Sequence, residues 1–444
     1  MSKQKKQDLN VELLRILACL MVIMIHIRPF PFDGETLRNA VVLIFVLNGP
    51  AVASFFLISG FFISGRQSLK HIYLRFLRSV ILPTGIFVFV LGLIRPWIDN
   101  PAIGLFESIL SSHPFTILTD IIQGFLAFDT VRFGIYADHL WYIFSYAGIM
   151  LWMPIIHGLI KHNEVTPLKI TLIIAALHYT LQNLSALIVL PFGITIPEAI
   201  GKPAMYTIAG WLLYSWIKRR KSLVTAIGGS RDSFSHATVG SETHLSPDTA
   251  SSKPSIAPAA TDLEASLSLQ SLRIISLLIF AVTSVILFML QKHIYMSGLI
   301  TGRTPAELNT DYYFTSWNGM LCAVQTVAFS AFILLIPDTI WYRELTDDEP
   351  ASMTFIGKLI QVLGSYTFPI YLIHYVFTNH FRATGLESFF QNLFGKSSIG
   401  LILYSFIYSV FIFLLCSVFI FIAKKLCNQL NYLLHKVKLS EAKR

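Results

Sequence analysis

Long apolar runs are the feature that most restricts what this chain can fold into. A helix rises 1.5 Å per residue, so about 20 apolar residues cross the hydrocarbon core of a bilayer. The sequence predicts ten such spans, at residues 11–30, 43–65, 79–97, 139–160, 168–190, 197–217, 272–291, 317–336, 359–381 and 399–423. Only 13% of the 444 residues are charged, against about 25% in soluble domains. We therefore expect an all-α, polytopic membrane helix bundle.

The distribution of Lys and Arg predicts how this bundle is oriented. Basic residues gather at the N-terminus, in the loop after the second span, at 218–221 and at 424–425. The segment 99–138, in contrast, has Arg132 as its only Lys or Arg beside five acidic residues. Because cytoplasmic loops carry the excess of basic residues, both termini are predicted to be cytoplasmic. The same rule accounts for the net charge of +9 without nucleic acid as a partner.

One segment differs from the rest in composition. Residues 222–270 are rich in Ser, Thr, Ala and Pro, and such a segment is predicted to be a disordered cytoplasmic loop. The predicted organisation is a first membrane part at 1–220 with about six helices, the loop at 221–271, a second membrane part at 272–424 with about four helices, and a basic cytoplasmic tail at 425–444. The four cysteines form no CxxC motif, which argues against a disulfide framework or a metal site.

The first span carries ionisable residues, which are costly in a membrane and usually functional. It reads "VELLRILACLMVIMIHI" and contains Glu12, Arg15 and His26. Arg15 and His26 are eleven positions apart, so they lie about 16 Å apart along the axis and share nearly the same helix face. Glu12 is three residues before Arg15 and is expected to pair with it. Alternatively, Glu12 and Arg15 mark the interface and His26 bonds a neighbouring helix.

Two further segments lie on the cytoplasmic side of this arrangement. The second span ends "FFLISGFFISGR", in which Ser59–Gly60 is expected to let another helix approach closely. The loop after it contains Arg75 and Arg78 with no acidic residue nearby. Their guanidinium groups suit phosphate oxygens, although a basic loop of this kind is also what the orientation rule expects.

Polar residues recur in two later spans. The fourth opens "ADHLWYIF", with Asp138, His139 and Trp141 at its outer end. The ninth reads "LGSYTFPIYLIHYVF", in which Pro369 is expected to break or kink the helix. Tyr371 and His374 follow that proline; they either serve a site or make packing and interhelical hydrogen bonds.

Taken together, these segments resemble the membrane acyltransferase 3 family, bacterial enzymes that O-acylate sugars of surface polysaccharides such as lipopolysaccharide. "ELLRILACLMVIMIH" resembles the family's first helix, and "SFFLISGFFIS" its second-helix signature. "YLRFLRSVILP" is similar to the family's basic loop, "HLWYI" to its fourth-helix opening and "SYTFPIYLIHY" to its late segment. The five occur in the family's order across roughly residues 10–380. The long 222–270 loop departs from the pattern.

The resemblance implies an O-acetyltransferase of carbohydrates in the bacterial cytoplasmic (inner) membrane, surrounded by membrane lipids. Acetyl-CoA would be the donor, with Arg75, Arg78 and Arg15 binding it, and no metal would be needed. A lipid-linked or polymeric glycan would be the acceptor, and His26 its general base, since an imidazole has an ordinary pKa near 6.5. Asp138 is a candidate partner for His26 or His139.

Two other functions fit the sequence. A multi-span transporter or flippase would also contain buried Arg and His residues, although no internal repeat of the kind common in transporters is present. A sensor or binding protein built on the same scaffold without turnover is the third possibility. The acceptor sugar and the oligomeric state are left open by the sequence.

Overall fold

A computed structural model describes most of the chain. The described residues are 8–27, 35–63, 68–100, 102–127, 129–133, 135–162, 164–187, 201–235, 268–300, 319–343, 352–394 and 397–441.

The first part of the chain forms ten α-helices. They are α1 (Leu9–His26), α2 (Glu35–Asn48), α3 (Pro50–Phe61), α4 (Leu69–Phe76), α5 (Leu82–Asp99), α6 (Leu105–Ser111), α7 (Pro114–Ala127), α8 (Trp141–Lys161), α9 (Val165–Leu187) and α10 (Lys202–Ser235). A π-helical turn, Leu77–Ile81, joins α4 to α5, and two short 3₁₀ turns, Val131–Phe133 and Ile135–Leu140, lead into α8.

The second part adds six helices. They are α11 (Leu269–Ile300), α12 (Met320–Leu334), α13 (Phe355–Gly364), α14 (Thr367–Ala383), α15 (Leu386–Phe394) and α16 (Ser398–Glu441). Between α12 and α13 lie a 3₁₀ turn, Asp338–Ile340, and the short antiparallel strands β1 (Tyr342–Arg343) and β2 (Ser352–Met353). The fold is therefore the helical bundle that the apolar runs predict.

Six helical segments in the described part of the chain are long and apolar enough to cross a membrane. They are Leu9–His26, Arg38–Phe61, Leu69–Asp99, Trp141–Lys161, Leu269–Ile294 and Ser398–Leu433. The pair α13 and α14, bent by 65° at its break, gives a seventh span if it crosses as one unit. Helices α9, α10 and α12 cover the other three predicted spans, so the count of ten stays a prediction, as does the orientation of the termini.

Two predicted boundaries fall inside long helices. Helix α10 runs to Ser235 and so enters the start of the segment 222–270. Residues 236–267, the greater part of the predicted loop, lie outside the described residues. Helix α16 continues past residue 424, where the cytoplasmic tail is predicted to begin, and ends at Glu441.

Helix α1 occupies the centre of the bundle. It packs against α2, α3, α12, α13, α14 and α16, and its side chains enter the largest apolar core, where Leu14 and Ile23 are fully buried. Its first turn is fixed by Asn10, whose amide donates to the carbonyls of Leu334 and Ile336. A helix surrounded in this way carries its polar residues into the interior rather than toward lipid.

The break between α13 and α14 has a local cause. Pro369 has no N–H to donate, and its ring clashes with the carbonyl of the residue four positions earlier in a continuous helix. That residue is Ser365, and the chain leaves helical geometry at Ser365 and Tyr366. The break predicted from Pro369 is thus present, and it turns Gly364 toward α1.

The close approach predicted for Ser59–Gly60 is confirmed. A Cβ added to Gly60 would lie 2.7 Å from the backbone nitrogen of Trp211 and closer still to the carbonyl oxygen of Thr207. Gly210 faces the backbone of Leu57 in the same way. Two glycines therefore let α3 and α10 pack backbone to backbone, as small residues do in membrane bundles.

Candidate active site

A cavity of about 320 Å³ lies beside α1. Its wall is formed by α1, α3, α4, the π-helical turn, α8, α13 and α14. Its apolar lining comes mainly from α3 and the two residues after it, from α4 and from α8. Its lining residues with charged or hydroxyl side chains are Arg15, Ser59, Arg75, Ser79, Tyr142, Tyr146, Ser365, Thr367 and Tyr371. The cavity thus combines two guanidinium groups with several hydroxyls in an otherwise apolar pocket, as small-molecule sites do.

The two arginines meet at one aromatic ring. The guanidinium carbon of Arg15 lies 4.8 Å from the ring centroid of Phe62, and that of Arg75 lies 6.0 Å from it. Both distances fall within the range in which a cation is attracted to an aromatic ring. Two positive groups therefore converge on one side of the cavity from different helices.

Arg15 is oriented by the ion pair that its spacing from Glu12 predicts. Its Nη1 atom donates to both carboxylate oxygens of Glu12, at 3.0 and 3.2 Å. The Glu12 side chain is only 5% exposed, whereas that of Arg15 is 27% exposed. A methyl group at Gly364 would lie 2.8 Å from the Cβ atom of Glu12. The carboxylate consequently has room only because the helix break presents a glycine there.

Three tyrosines, Tyr142, Tyr146 and Tyr371, form part of the cavity wall. The rings of Tyr142 and Tyr146 stack with centroids 6.3 Å apart, and Tyr371 lies 5.6 Å from Tyr142. Tyr371 also packs 5.3 Å from the ring of His139. This residue therefore has the cavity on one side and a histidine on the other.

Three histidines gather beyond Tyr371 and form what we call the histidine cluster: His26 from α1, His139 from the turn before α8, and His374 from α14. Their ring centroids lie 5.4 Å apart for His26–His374, 5.1 Å for His139–His374 and 6.3 Å for His26–His139. Tyr375 packs against His26 and His139 at 4.9 and 5.0 Å. Residues from three distant segments, each singled out in the sequence, thus meet at one place.

The backbone of Tyr371 holds two of these rings. Its carbonyl oxygen accepts hydrogen bonds from Nε2 of His139, at 3.0 Å, and from Nδ1 of His374, at 2.8 Å. The hydroxyl group of Tyr371 in turn donates to the carbonyl oxygen of His139. His139 is 3% exposed and His374 fully buried, whereas His26 is only half-buried. His26 is accordingly the member of the cluster that a molecule from outside can reach.

A polar network missed in the sequence supports the end of α1. The guanidinium group of Arg382 donates to the carbonyl of His26 at 3.2 Å and to the carboxylate of Glu387 at 2.8 Å. Glu387 is 4% exposed and also accepts from the hydroxyl of Tyr404. Gly385, with φ of 78°, allows the tight turn that brings Glu387 back to Arg382. The pairing Arg382-x₄-Glu387 reads as a surface turn in the sequence, so no signal there could have marked it.

The other predicted site residues are less central. Ser59 lines the cavity, where its hydroxyl donates to the Phe55 carbonyl of its own helix and lies within hydrogen-bonding range of the hydroxyls of Tyr142 and Tyr146. Arg78 is exposed in the π-helical turn and is not among the described residues that line the cavity. Trp141 begins α8 and is half-buried. The side chain of Asp138 lies outside the described part of the structure, so its pairing with a histidine stays a prediction.

The described residues contain no group of three or more His, Cys, Asp or Glu side chains placed to hold a metal ion.

Comparison with known proteins identifies one relationship. The sequence model of the acyltransferase 3 family, described as an acyltransferase domain, matches residues 8–421. That match covers nearly the whole chain and includes every residue of the cavity and of the histidine cluster. Neither a curated protein nor a solved structure matches the chain.

Proposed function

The chain belongs to the acyltransferase 3 family and is an integral membrane acyltransferase, and on that premise we propose that it moves an acetyl group from cytoplasmic acetyl-CoA to a sugar hydroxyl. The acceptor is a cell-surface glycan or its lipid-linked precursor, presented from the outer side of the bacterial cytoplasmic membrane. Both termini are cytoplasmic in this proposal, which follows the distribution of basic residues.

The observation that carries the proposal is the position of Arg15 and His26 on one central helix. Arg15 lines the cavity and His26 belongs to the histidine cluster, about 16 Å further along the helix axis. A reaction whose donor and acceptor come from opposite sides of a membrane needs binding groups at both ends of such a path. Helix α1 supplies a cation at one end and an imidazole at the other.

The donor end is built to bind anions. In the proposed complex Arg75, which is exposed at the edge of the cavity, holds phosphate groups of acetyl-CoA. Arg15 lies deeper and faces the thioester arm, where its positive charge stabilises the thiolate that forms as the C–S bond breaks. Glu12 fixes the guanidinium group of Arg15 in advance, so that little reorientation is needed during the reaction.

The acceptor end supplies the base. A neutral imidazole at His26 removes the proton of the sugar hydroxyl as the oxygen attacks the acetyl carbonyl. General-base catalysis of this kind is worth about 10²–10⁴-fold. Arg382, anchored by Glu387, holds the carbonyl of His26 and so fixes the end of the helix that bears the imidazole. Transfer is direct in this proposal, from the thioester to the hydroxyl.

The test uses purified protein in detergent with radiolabelled acetyl-CoA. The acceptor is envelope glycan, including lipid-linked precursors, extracted from cells that lack the gene. We expect label in the glycan with wild-type protein, and a rate about 10²–10⁴-fold lower with His26→Ala, while acetyl-CoA binding is retained. Equal rates in both proteins would remove His26 as the base. Glycan transport into vesicles without acetyl transfer would instead favour a flippase.

A further inference from the structure

The histidine cluster contains two nitrogens whose protonation state follows from their neighbours. The carbonyl oxygen of Tyr371 can only accept, so Nε2 of His139 and Nδ1 of His374 must each carry a hydrogen to bond with it. A neutral imidazole has one N–H and one lone pair. The lone pairs therefore lie on Nδ1 of His139 and Nε2 of His374.

Both of these acceptor atoms are buried, and neither has a hydrogen-bond partner among the described residues. Most buried polar side-chain atoms are hydrogen-bonded, and an exception calls for an explanation. Two such exceptions occur side by side in the cluster that contains the proposed base. Each of the two nitrogens is free to accept a proton.

Distance decides which of them His26 can reach. The ring centroids of His26 and His374 are 5.4 Å apart, whereas those of His26 and His139 are 6.3 Å apart. The unpartnered nitrogen of His374 therefore belongs to the ring that lies nearer to His26. His374 is also fully buried, so a sugar cannot contact it. A proton can still reach it by way of His26.

We propose that His374 is the second proton acceptor of the reaction, through its Nε2 atom. The proposal rests on the acetyl transfer proposed above. The sugar oxygen forms the new C–O bond, the C–S bond breaks, and its electron pair leaves on the sulfur of CoA. The hydroxyl proton passes to His26, and the other ring proton of His26 passes to Nε2 of His374. The thiolate takes a proton from cytoplasmic water, and the proton on His374 returns through His26 to water outside.

Two backbone carbonyls face the ring of His374 and favour its protonated form. Once Nε2 is protonated the ring is a cation, and its Nδ1–H already points at the carbonyl oxygens of Tyr371 and Ile370, at 2.8 and 3.2 Å. Hydrogen bonds from a charged donor are roughly twice as strong as neutral ones. These two hydrogen bonds offset part of the cost of a buried charge, and the relay leaves His26 neutral beside the acceptor.

The first test is His374→Asn, because an Asn amide nitrogen lies close to the place of Nδ1 and keeps the bond to the Tyr371 carbonyl. The variant removes only the basic nitrogen. We expect kcat for acetyl transfer to the extracted glycan to fall by about 10²-fold, with KM for acetyl-CoA unchanged, since His374 does not line the cavity. A kcat within threefold of wild type would overturn the proposal.

Two matched variants sharpen the result. His139→Gln keeps a donor near the place of Nε2 and removes the lone pair on Nδ1. Because the His139 ring lies farther from His26 than the His374 ring does, this variant should lose less activity than His374→Asn. A larger loss in His139→Gln would contradict the assignment to His374. His157→Asn removes a buried imidazole of α8 outside the cluster and should transfer acetyl at the wild-type rate.

A second measurement needs no variant and serves if His374→Asn does not fold. In single-turnover reactions of wild-type protein with bound acetyl-CoA, the transfer rate is measured across mixtures of H₂O and D₂O. Two protons moving together give a curved dependence on the deuterium fraction, and one gives a straight line. A straight line would overturn the relay and leave His26 as a lone base, whereas absence of any transfer by wild type would count against the proposed function itself.

Discussion

The contact between α3 and α10 gives a prediction whose size follows from the structure. A methyl group at Gly60 would lie 2.7 Å from the backbone nitrogen of Trp211 and still nearer the carbonyl oxygen of Thr207. Non-bonded heavy atoms prefer about 3.5 Å or more, so the two helices must separate by roughly 0.8 Å at least. Backbone atoms cannot rotate away as a flexible side chain does, which means that Gly60→Ala must move a whole helix.

The cost has two parts. Overpacking of this kind typically destabilises by about 1–3 kcal/mol. Separation also lengthens the hydrogen bond from the Thr207 hydroxyl to the Phe56 carbonyl, now 3.2 Å, which is worth about 1 kcal/mol net. Because Ser59 and Phe62 flank Gly60 and both line the cavity, the shift should weaken acetyl-CoA binding as well.

Gly148 provides the matched control. It lies within α8, and nothing among the described residues comes within 4 Å of a Cβ added there. Gly148→Ala should therefore gain helix propensity, about 1 kcal/mol, without a clash. The purified proteins are heated in detergent, and the folded fraction is followed by size-exclusion chromatography. The melting temperature of Gly60→Ala should lie below that of wild type, and that of Gly148→Ala at or above it. If Gly60→Ala and Gly148→Ala have the same melting temperature, the backbone contact between α3 and α10 is not present.

The remaining predictions concern the donor end of the cavity. Arg75→Ala should weaken acetyl-CoA binding about 10–100-fold, as expected for loss of about 1.5–3 kcal/mol from a charged hydrogen bond. Arg78→Ala should change the dissociation constant much less, because Arg78 does not line the cavity. Equal losses of affinity in the two variants, measured by titration calorimetry at low salt, would contradict this ranking. Glu12→Gln should weaken the same binding about tenfold by releasing Arg15 from its ion pair, and a dissociation constant unchanged from wild type would show that Arg15 needs no such support.

Local rules in the sequence predict much of this arrangement. The pairing of Glu12 with Arg15 follows from helical spacing, the break before α14 follows from Pro369, and the close helix contact follows from Gly60. Each of these outcomes depends on atoms within a few residues along the chain or on the absence of a side chain. Helical spacing, the proline ring and the missing side chain are local properties, so each outcome can be predicted before the helix that packs at Gly60 is known.

The meeting of helices is not accessible in the same way. His139 and His374 contact each other because α14, after its 65° bend, packs against the turn before α8, and neither spacing nor hydropathy encodes that neighbour. The same limit separates Arg75 from Arg78, which are equivalent by spacing, although only Arg75 lines the cavity. Helix α12 shows the same limit: it is short and buried among other helices, and hydropathy does not distinguish such a helix from one that crosses the membrane.

Tyr371 is the residue at which the two ends of the proposed reaction meet. Its ring lines the cavity that contains Arg15 and lies against His139, so it stands between the donor end and the histidine cluster of the proposed reaction. The ring is buried in an apolar core cluster, and its hydroxyl donates to the His139 carbonyl, a hydrogen bond worth about 1 kcal/mol net. The backbone carbonyl that orients His139 and His374 is separate from that bond. The backbone carbonyl of Tyr371, and not its side chain, therefore sets the tautomers that the proposed proton transfer requires.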